Sequence, residues 1–181
     1  MVKDIRRRSQ VPICLMTYFN PVFAFGQEKF IKEALASGVD GVIIPDLPPE
    51  EGQDFIQSAH KSKLDVICFI SPTTSLSRIE YIARVSRGFI YYVSLTGVTG
   101  VRRALPQGLL LQLKNIKRVT AKPVCVGFGV SNVAQIARIN KVADGVIIGS
   151  AIIKKIKENL SQPDLVKRVV SFIQSLKEGR S

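Results

Sequence analysis

Short apolar runs alternate along this chain with longer stretches in which apolar residues recur every three or four positions. The runs at 12–17, 41–45, 65–70, 89–94, 123–127 and 145–148 are near-continuous and rich in Val and Ile. Strands of a parallel sheet, buried on both faces, read this way. Between them, 27–37, 49–62, 75–85, 106–120, 132–140 and 150–157 have the periodicity of helices. A last helix is expected over 163–177, where Leu165, Val169, Phe172, Ile173 and Leu176 share one face. The punctuation fits. Gly38 stands where a helix would stop, Glu50 and Glu51 suit a helix N-terminus, and Pro163 suits a first turn. Residues 2–10 read as the tail of a helix running into the first strand.

Six successive strand–helix units imply a parallel sheet with right-handed crossovers. Two architectures satisfy that, a doubly wound open sheet and part of a (β/α)8 barrel. No GxGxxG follows the first strand, so the dinucleotide-binding version of the open sheet lacks its fingerprint. The glycines cluster instead after the last three strands: Ser94-Leu-Thr-Gly-Val-Thr-Gly100, Gly127-Phe-Gly-Val-Ser131 and Gly149-Ser150. Glycine lets backbone N–H groups approach an anion closely, and a helix N-terminus adds free donors and a favourable dipole. Barrels hold phosphate on the loops after strands seven and eight. If the last two strands are those, two are missing at the start. The 181 residues also fall short of the roughly 250 of a complete barrel. The expected fold class is α/β, an incomplete (β/α)8 barrel of about six units, with 1–181 as a single domain.

The chain carries 26 Lys and Arg against 14 Asp and Glu, a net charge of +12. That raises nucleic-acid binding, but the basic residues are spread along helices. Only Arg6–Arg8 and Arg102-Arg103 are tight clusters, and aromatics do not interleave with them as a stacking platform requires. Solvated helix faces explain the charge, as would a fragment whose remainder is acidic. No nucleic acid and no membrane are expected as partners. The apolar run near the N-terminus is too short for a signal segment or a span, so a soluble, cytoplasmic protein is expected. Cys14, Cys68 and Cys125 each sit in an apolar run and read as buried, reduced core thiols. With a single histidine, His60, and no CxxC, no metal is expected.

In a barrel the reacting groups stand at the C-terminal ends of strands. Among the 14 acidic residues, Asp40, Asp65 and Asp144 precede strands and most others belong to helices. Asp46, in Ile44-Pro-Asp-Leu-Pro48, alone stands at a C-terminal end. It reads either as a reactive group or as a carboxylate that organises its loop through backbone N–H groups. Tyr18 and Tyr91 lie near the same ends and could bond a substrate or simply pack. No carboxylate pair is placed for acid–base work, and no nucleophile has a base beside it.

These motifs, in this order and spacing, resemble one family. The stretches Tyr91–Gly100, Gly127–Ser131 and Gly149–Ile153 are similar to the phosphate loops of the tryptophan synthase alpha subunit. Met16-Thr-Tyr-Phe-Asn-Pro-Val-Phe23 resembles its third strand and the loop after it, and Asp46-Leu-Pro-Pro-Glu-Glu51 the loop after its fourth. The resemblance runs from about Pro12 to Lys177. It implies cleavage of indole-3-glycerol phosphate to indole and glyceraldehyde 3-phosphate within an α2β2 assembly. No cofactor is implied for this chain, because the pyridoxal phosphate belongs to the beta subunit. Gly100, Gly129, Gly149 and Ser150 are then expected to hold the substrate phosphate. Tyr18, Tyr91, Thr99 and Phe128 are expected to line the pocket, and Asn20, Phe23, Asp46 and Pro48 to face the beta subunit.

The departure from the family pattern is in the chemistry. The family's general acid–base glutamate ends strand one and its indole-binding aspartate follows strand two. Both precede the segment matching Pro12, so neither has a counterpart here. This chain alone is therefore expected to be inactive. The alternative is a non-catalytic phosphate-binding remnant that docks on or regulates the beta subunit. Edges left unpaired at 12–17 and 145–148 would invite partner strands.

Overall fold

The structure is a computed structural model and describes residues 1–93, 108–127 and 129–178. The chain divides into two compact units, Met1–Ile70 with Ser77–Ile90, and Ser71–Leu76 with Tyr91–Ser181. The first begins with α1 (Val2–Arg6), β1 (Cys14–Met16), α2 (Phe19–Phe25) and α3 (Gln27–Ala36). It continues with β2 (Gly41–Ile43), α4 (Gln53–Lys61), β3 (Asp65–Ile70) and α5 (Leu76–Val85). The second contains β4 (Ile90–Val93), α6 (Leu109–Val119), β5 (Val124–Gly127), α7 (Val133–Asn140), β6 (Gly145–Ile147), α8 (Ser150–Lys157) and α9 (Leu165–Lys177).

In the first unit β1 pairs with β2 and β2 with β3, both in parallel, with Cys14 opposite Gly41 and Gly41 opposite Asp65. Short Val- and Ile-rich segments give this pairing its core. Val42, Val66, Ile67 and Ile70 are almost fully buried under Ile31 and Ala34 of α3 and Phe55, Ile56 and Ala59 of α4. In the second unit β5 pairs in parallel with β6, and Gly127 stands opposite Ile147. Val124 and Val126 are buried there, as are Leu109, Leu113 and Ile116 of α6 and Ile136 and Ile139 of α7.

Helix ends are set by local chemistry. At the end of α3, Gly38 has φ +89. Its N–H reaches Leu35 O at 2.9 Å and the Val39 N–H reaches Ala34 O at 3.0 Å, the paired bonds of a Schellman stop. The expected stop at Gly38 is thus present. The same pair recurs after α4, where Lys63 N–H meets His60 O and Leu64 N–H meets Ala59 O. Here Lys63 takes the left-handed position, at φ 68.

Three sequence expectations are corrected. The loop expected after the strand, up to Phe23, instead lies in α2 from Phe19 on. Pro21 is tolerated in its first turn, Phe19 and Phe23 meet four apart with ring centroids at 6.1 Å, and Val22 is buried. Helix α4 starts at Gln53, so Glu50 and Glu51 sit in the turn before it rather than in its first turn. Cys14 is exposed and Cys125 half-buried, and only Cys68 is a buried thiol. The cause is position. β1 has a single strand neighbour among the described residues, so Cys14 and Met16 lie open while every residue of β2 is buried.

Candidate functional site

The glycine-bearing loops of β5 and β6 lie side by side because the register puts Gly127 opposite Ile147. Two residues further on, Gly129 and Gly149 occupy equivalent steps. Tyr91, the second residue of β4, lays its ring on Gly127. A methyl group at Gly127 would overlap both the ring and its hydroxyl, so only a residue without a side chain lets this tyrosine cover the strand end. Burial pushes the Tyr91 phenol above its ordinary value of 10.0, so the hydroxyl stays a neutral donor at physiological pH. Val130 is buried and anchors the loop after β5.

The two helix N-termini at this end differ. That of α7 is closed by its own residues. Asn132 Oδ1 accepts from Gln135 N–H at 2.9 Å, and Gln135 Oε1 accepts from Ser131 N–H at 2.9 Å, a variant of the capping box. That of α8 has no side-chain cap. Its N-cap Gly149 is exposed, and a Cβ there would meet nothing within 4 Å. The carbonyl of Gly149 accepts from Ile152 and Ile153, which leaves the amides of Ser150 and Ala151 as the helix's leading donors. Of the two, the α8 terminus has the features an anion needs. The capping of α7 was not anticipated, although its signal, Asn132 followed three residues later by Gln135, is in the sequence.

Of the expected phosphate residues, Gly129 follows β5, and Gly149 and Ser150 follow its paired strand β6. Gly100, Thr99 and Phe128 lie outside the described residues. In the first unit the structure gathers the residues expected to face a partner. Asp46 Oδ1 accepts from Phe19 N–H, the first amide of α2, at 2.9 Å. Asp46 thus bonds a backbone N–H, as a loop-organising carboxylate would. The bond ties the loop holding Asp46 and Pro48 to the helix carrying Asn20 and Phe23. The surface so formed is open: Tyr18, the N-cap of α2, is 66% exposed and Phe23 63%. Phe19 packs edge-on against Phe55 at 6.1 Å and holds α2 to the unit beneath.

Among the described residues no group of three or more His, Cys, Asp and Glu could hold a metal ion, and no helix is long and apolar enough to cross a membrane.

The sequence profile of tryptophan synthase alpha chains matches residues 1–180. The chain belongs to the tryptophan synthase alpha chain family. Its similarity to the alpha chain of Geotalea uraniireducens is 42% identity over 179 residues, 99% of this chain and 67% of that one. For Geotalea daltonii it is 44% over 178 residues, again 67% of the relative. Among solved structures, the tryptophan synthase α2β2 complex of the hyperthermophile Pyrococcus furiosus aligns with a TM-score of 0.88 at 35% identity, covering 98% of this chain and 71% of that one. A mutant alpha subunit from the same organism gives 0.86 at 34%. The fold is thus the α/β (β/α)8 barrel of this family, with six βα units here. The chain spans about two thirds of the length of the curated relatives it matches.

Proposed function

We propose that this tryptophan synthase alpha-family chain holds the phosphate of indole-3-glycerol phosphate and docks on a beta subunit, but does not by itself cleave the substrate. The open N-terminus of α8 carries the reading. Gly149 and Ser150, beside the Gly127–Gly129 loop, offer backbone donors, a serine hydroxyl and a helix dipole where the neighbouring helix is capped by its own side chains. Gly100 would complete the phosphate grip, with Tyr91, Thr99 and Phe128 along the substrate and Tyr18 near its indole end. The family reaction is a carbon–carbon bond cleavage, and it needs an acid–base carboxylate. Asp46 is committed to the α2 amide, so it does not replace the glutamate and aspartate that resemblance to the family places outside this chain. Losing a positioned general base alone costs about 10²–10⁴-fold in rate.

The exposed face of α2 and the Asp46–Pro48 loop, with Asn20 and Phe23, is the surface proposed for the beta subunit. The α2β2 assembly of the Pyrococcus furiosus relative supports that partner. The pyridoxal phosphate would belong to the beta subunit, with none on this chain, and a cytoplasmic location follows from the biosynthetic role.

Calorimetry with glycerol 3-phosphate and with indole-3-glycerol phosphate tests the site. Both should bind, and Ser150→Ala should weaken both several-fold. An indole-release assay tests the chemistry. Release well above the uncatalysed rate by the chain alone would overturn the inactive reading, and absence of phosphate-ester binding would overturn the site.

A further inference from the structure

We infer that Gln135 is a positioning residue for the phosphate site: its buried amide holds the peptide before Ser131 and so presets the loop after β5 in the shape that receives the substrate phosphate. The inference rests on the phosphate reading of the β5 and β6 loops and adds the residue that shapes one of them.

Burial of the side chain is the first observation. Gln135 is the third residue of α7, and only 5% of it is exposed. A glutamine that merely caps a helix can do so from water, because a capping box asks only for an acceptor at this position. Burying an amide costs free energy unless its atoms find partners, and here the loop supplies one. Gln135 Oε1 accepts from Ser131 N–H at 2.9 Å, with Ser131 Oγ 3.5 Å from the same atom. Gln135 is itself held in place. Its own N–H donates to Asn132 Oδ1 at 2.9 Å, and Ile136 and Ile139 of the same helix are core residues. The side chain is also neutral. Glutamate serves a capping box equally well, yet it would bring a negative charge to a segment that receives a phosphate.

The backbone carries this order into the loop. A peptide unit is planar, so fixing Ser131 N–H fixes the whole Val130–Ser131 peptide. The Val130 side chain, 2% exposed, is fixed as well. At the other end, Gly127 is paired opposite Ile147 of β6, the strand that leads to Gly149 and Ser150. Gly129 therefore lies between two anchored ends. A loop held in its binding shape gives up less freedom when a ligand arrives, and this strengthens binding without adding a contact.

The two halves of the α7 cap supply the test, on the full 181-residue chain with glycerol 3-phosphate as the probe. Gln135→Met keeps the length of the side chain and removes the acceptor for Ser131. Asn132→Ala removes the helix cap and leaves that acceptor in place. Both should lower the melting temperature, but only Gln135→Met should weaken glycerol 3-phosphate binding, at least fivefold by calorimetry. Amide hydrogen exchange read by NMR checks the bond itself. The Ser131 amide should be protected in the parent and in Gln135→Glu, which restores the acceptor, and should lose at least tenfold protection in Gln135→Met. Equal losses of affinity in Gln135→Met and Asn132→Ala, or an affinity that Gln135→Met leaves unchanged, overturn the inference while the phosphate reading stands. So does a Ser131 amide unprotected in the parent, an observation that needs no variant. A parent that does not bind glycerol 3-phosphate overturns the phosphate reading itself, and this inference with it.

Discussion

Asp40 and Asp144 make the same reciprocal pair with the strand before their own. The Asp40 N–H donates to Ile13 O at 2.9 Å and its Oδ2 accepts from Ile13 N–H at 2.6 Å. The Asp144 N–H donates to Val124 O at 3.0 Å and its Oδ2 accepts from Val124 N–H at 2.7 Å. Each carboxylate also takes a cation from the helix ahead of that strand, Arg6 of α1 for Asp40 and Lys117 of α6 for Asp144. Both aspartates open the sequence Asp-Gly-Val-Ile-Ile, and in each the glycine faces a cysteine of the neighbouring strand, Cys14 or Cys125. One device thus fixes parallel register twice.

The acid dependence of this device follows from Asp144. Burial opposes its ionisation, but the Lys117 hydrogen bond, the Val124 amide and the Lys117 charge outweigh it, so its carboxyl sits below the ordinary 3.8. A carboxyl lowered in the folded state stabilises the protein above its unfolded value, and the contribution is lost as pH falls through the folded one. Asp144→Ala should cost about 1–3 kcal/mol at pH 7, because it strands the fully buried Val124 N–H. The gap between parent and variant should narrow below about pH 4 by no more than ~1 kcal/mol, since the ion pair is partly exposed. Urea titrations at pH 7 and pH 3 measure both. A gap that widens in acid would contradict the assignment.

Lys63 holds the left-handed position after α4 that Gly38 holds after α3. A side chain there is strained, while glycine loses more freedom on folding. Lys63 is exposed, so relief of strain should win. Lys63→Gly is expected to stabilise the protein by about 0.5–1 kcal/mol, read as a raised denaturation midpoint at unchanged slope. Gly38→Ala should do the reverse.

Much of this was legible in the sequence because two signals are local. Near-continuous apolar runs located the six strands within about three residues, and 65–70 was matched at both ends. Gly38 marked its helix end because the stop needs φ above zero. What stayed hidden depends on neighbours. Cys14 has the apolar surroundings of a core thiol, yet it is exposed on β1, which has a single strand neighbour among the described residues. Helix α2 was masked by Asn20-Pro21, which reads as a turn until Phe19, Phe23 and Phe55 are seen to pack. Asp46 could be placed at a strand end, but its bond to the Phe19 amide crosses 27 residues, beyond any spacing rule. At the glycine loops the sequence offered three loops acting together on one phosphate, with the helix N-terminus after Gly149 adding free donors. That α7 is capped by side chains and α8 is not shows only in the structure, where Asn132 and Gln135 meet.

Tyr91 on Gly127 gives a steric prediction. Gly127→Ala places a methyl inside the tyrosine ring's space, and a half-buried ring beside a paired strand has little room to yield. Overpacking of this kind costs about 1–3 kcal/mol. The variant should melt earlier and, with Tyr91 displaced, bind indole-3-glycerol phosphate more weakly. The double variant Gly127→Ala, Tyr91→Ala should recover much of the lost stability, because the clash then has no second party. Non-recovery would mean that the strain lies in the backbone and not in the ring.

Gly149 gives the converse case, a glycine whose side chain would be tolerated. Its φ of −124 is ordinary for any residue, and a Cβ would enter open space. Asp at this N-cap can bond the leading amides of α8 and complement the helix dipole, a gain of a few tenths of a kcal/mol over glycine for the cap and about 0.3–1 kcal/mol for the dipole. The same carboxylate would sit where the substrate phosphate is proposed to bind and would repel it. Gly149→Asp is therefore expected to leave the protein as stable as the parent or more so, while lowering affinity for glycerol 3-phosphate at least tenfold. Thermal melting and calorimetry on one preparation separate the two effects. Gly149→Ala, which adds bulk without charge or cap, should lose less affinity than Gly149→Asp. Equal binding by parent and Gly149→Asp would remove α8 from the phosphate site, whatever the stability data show.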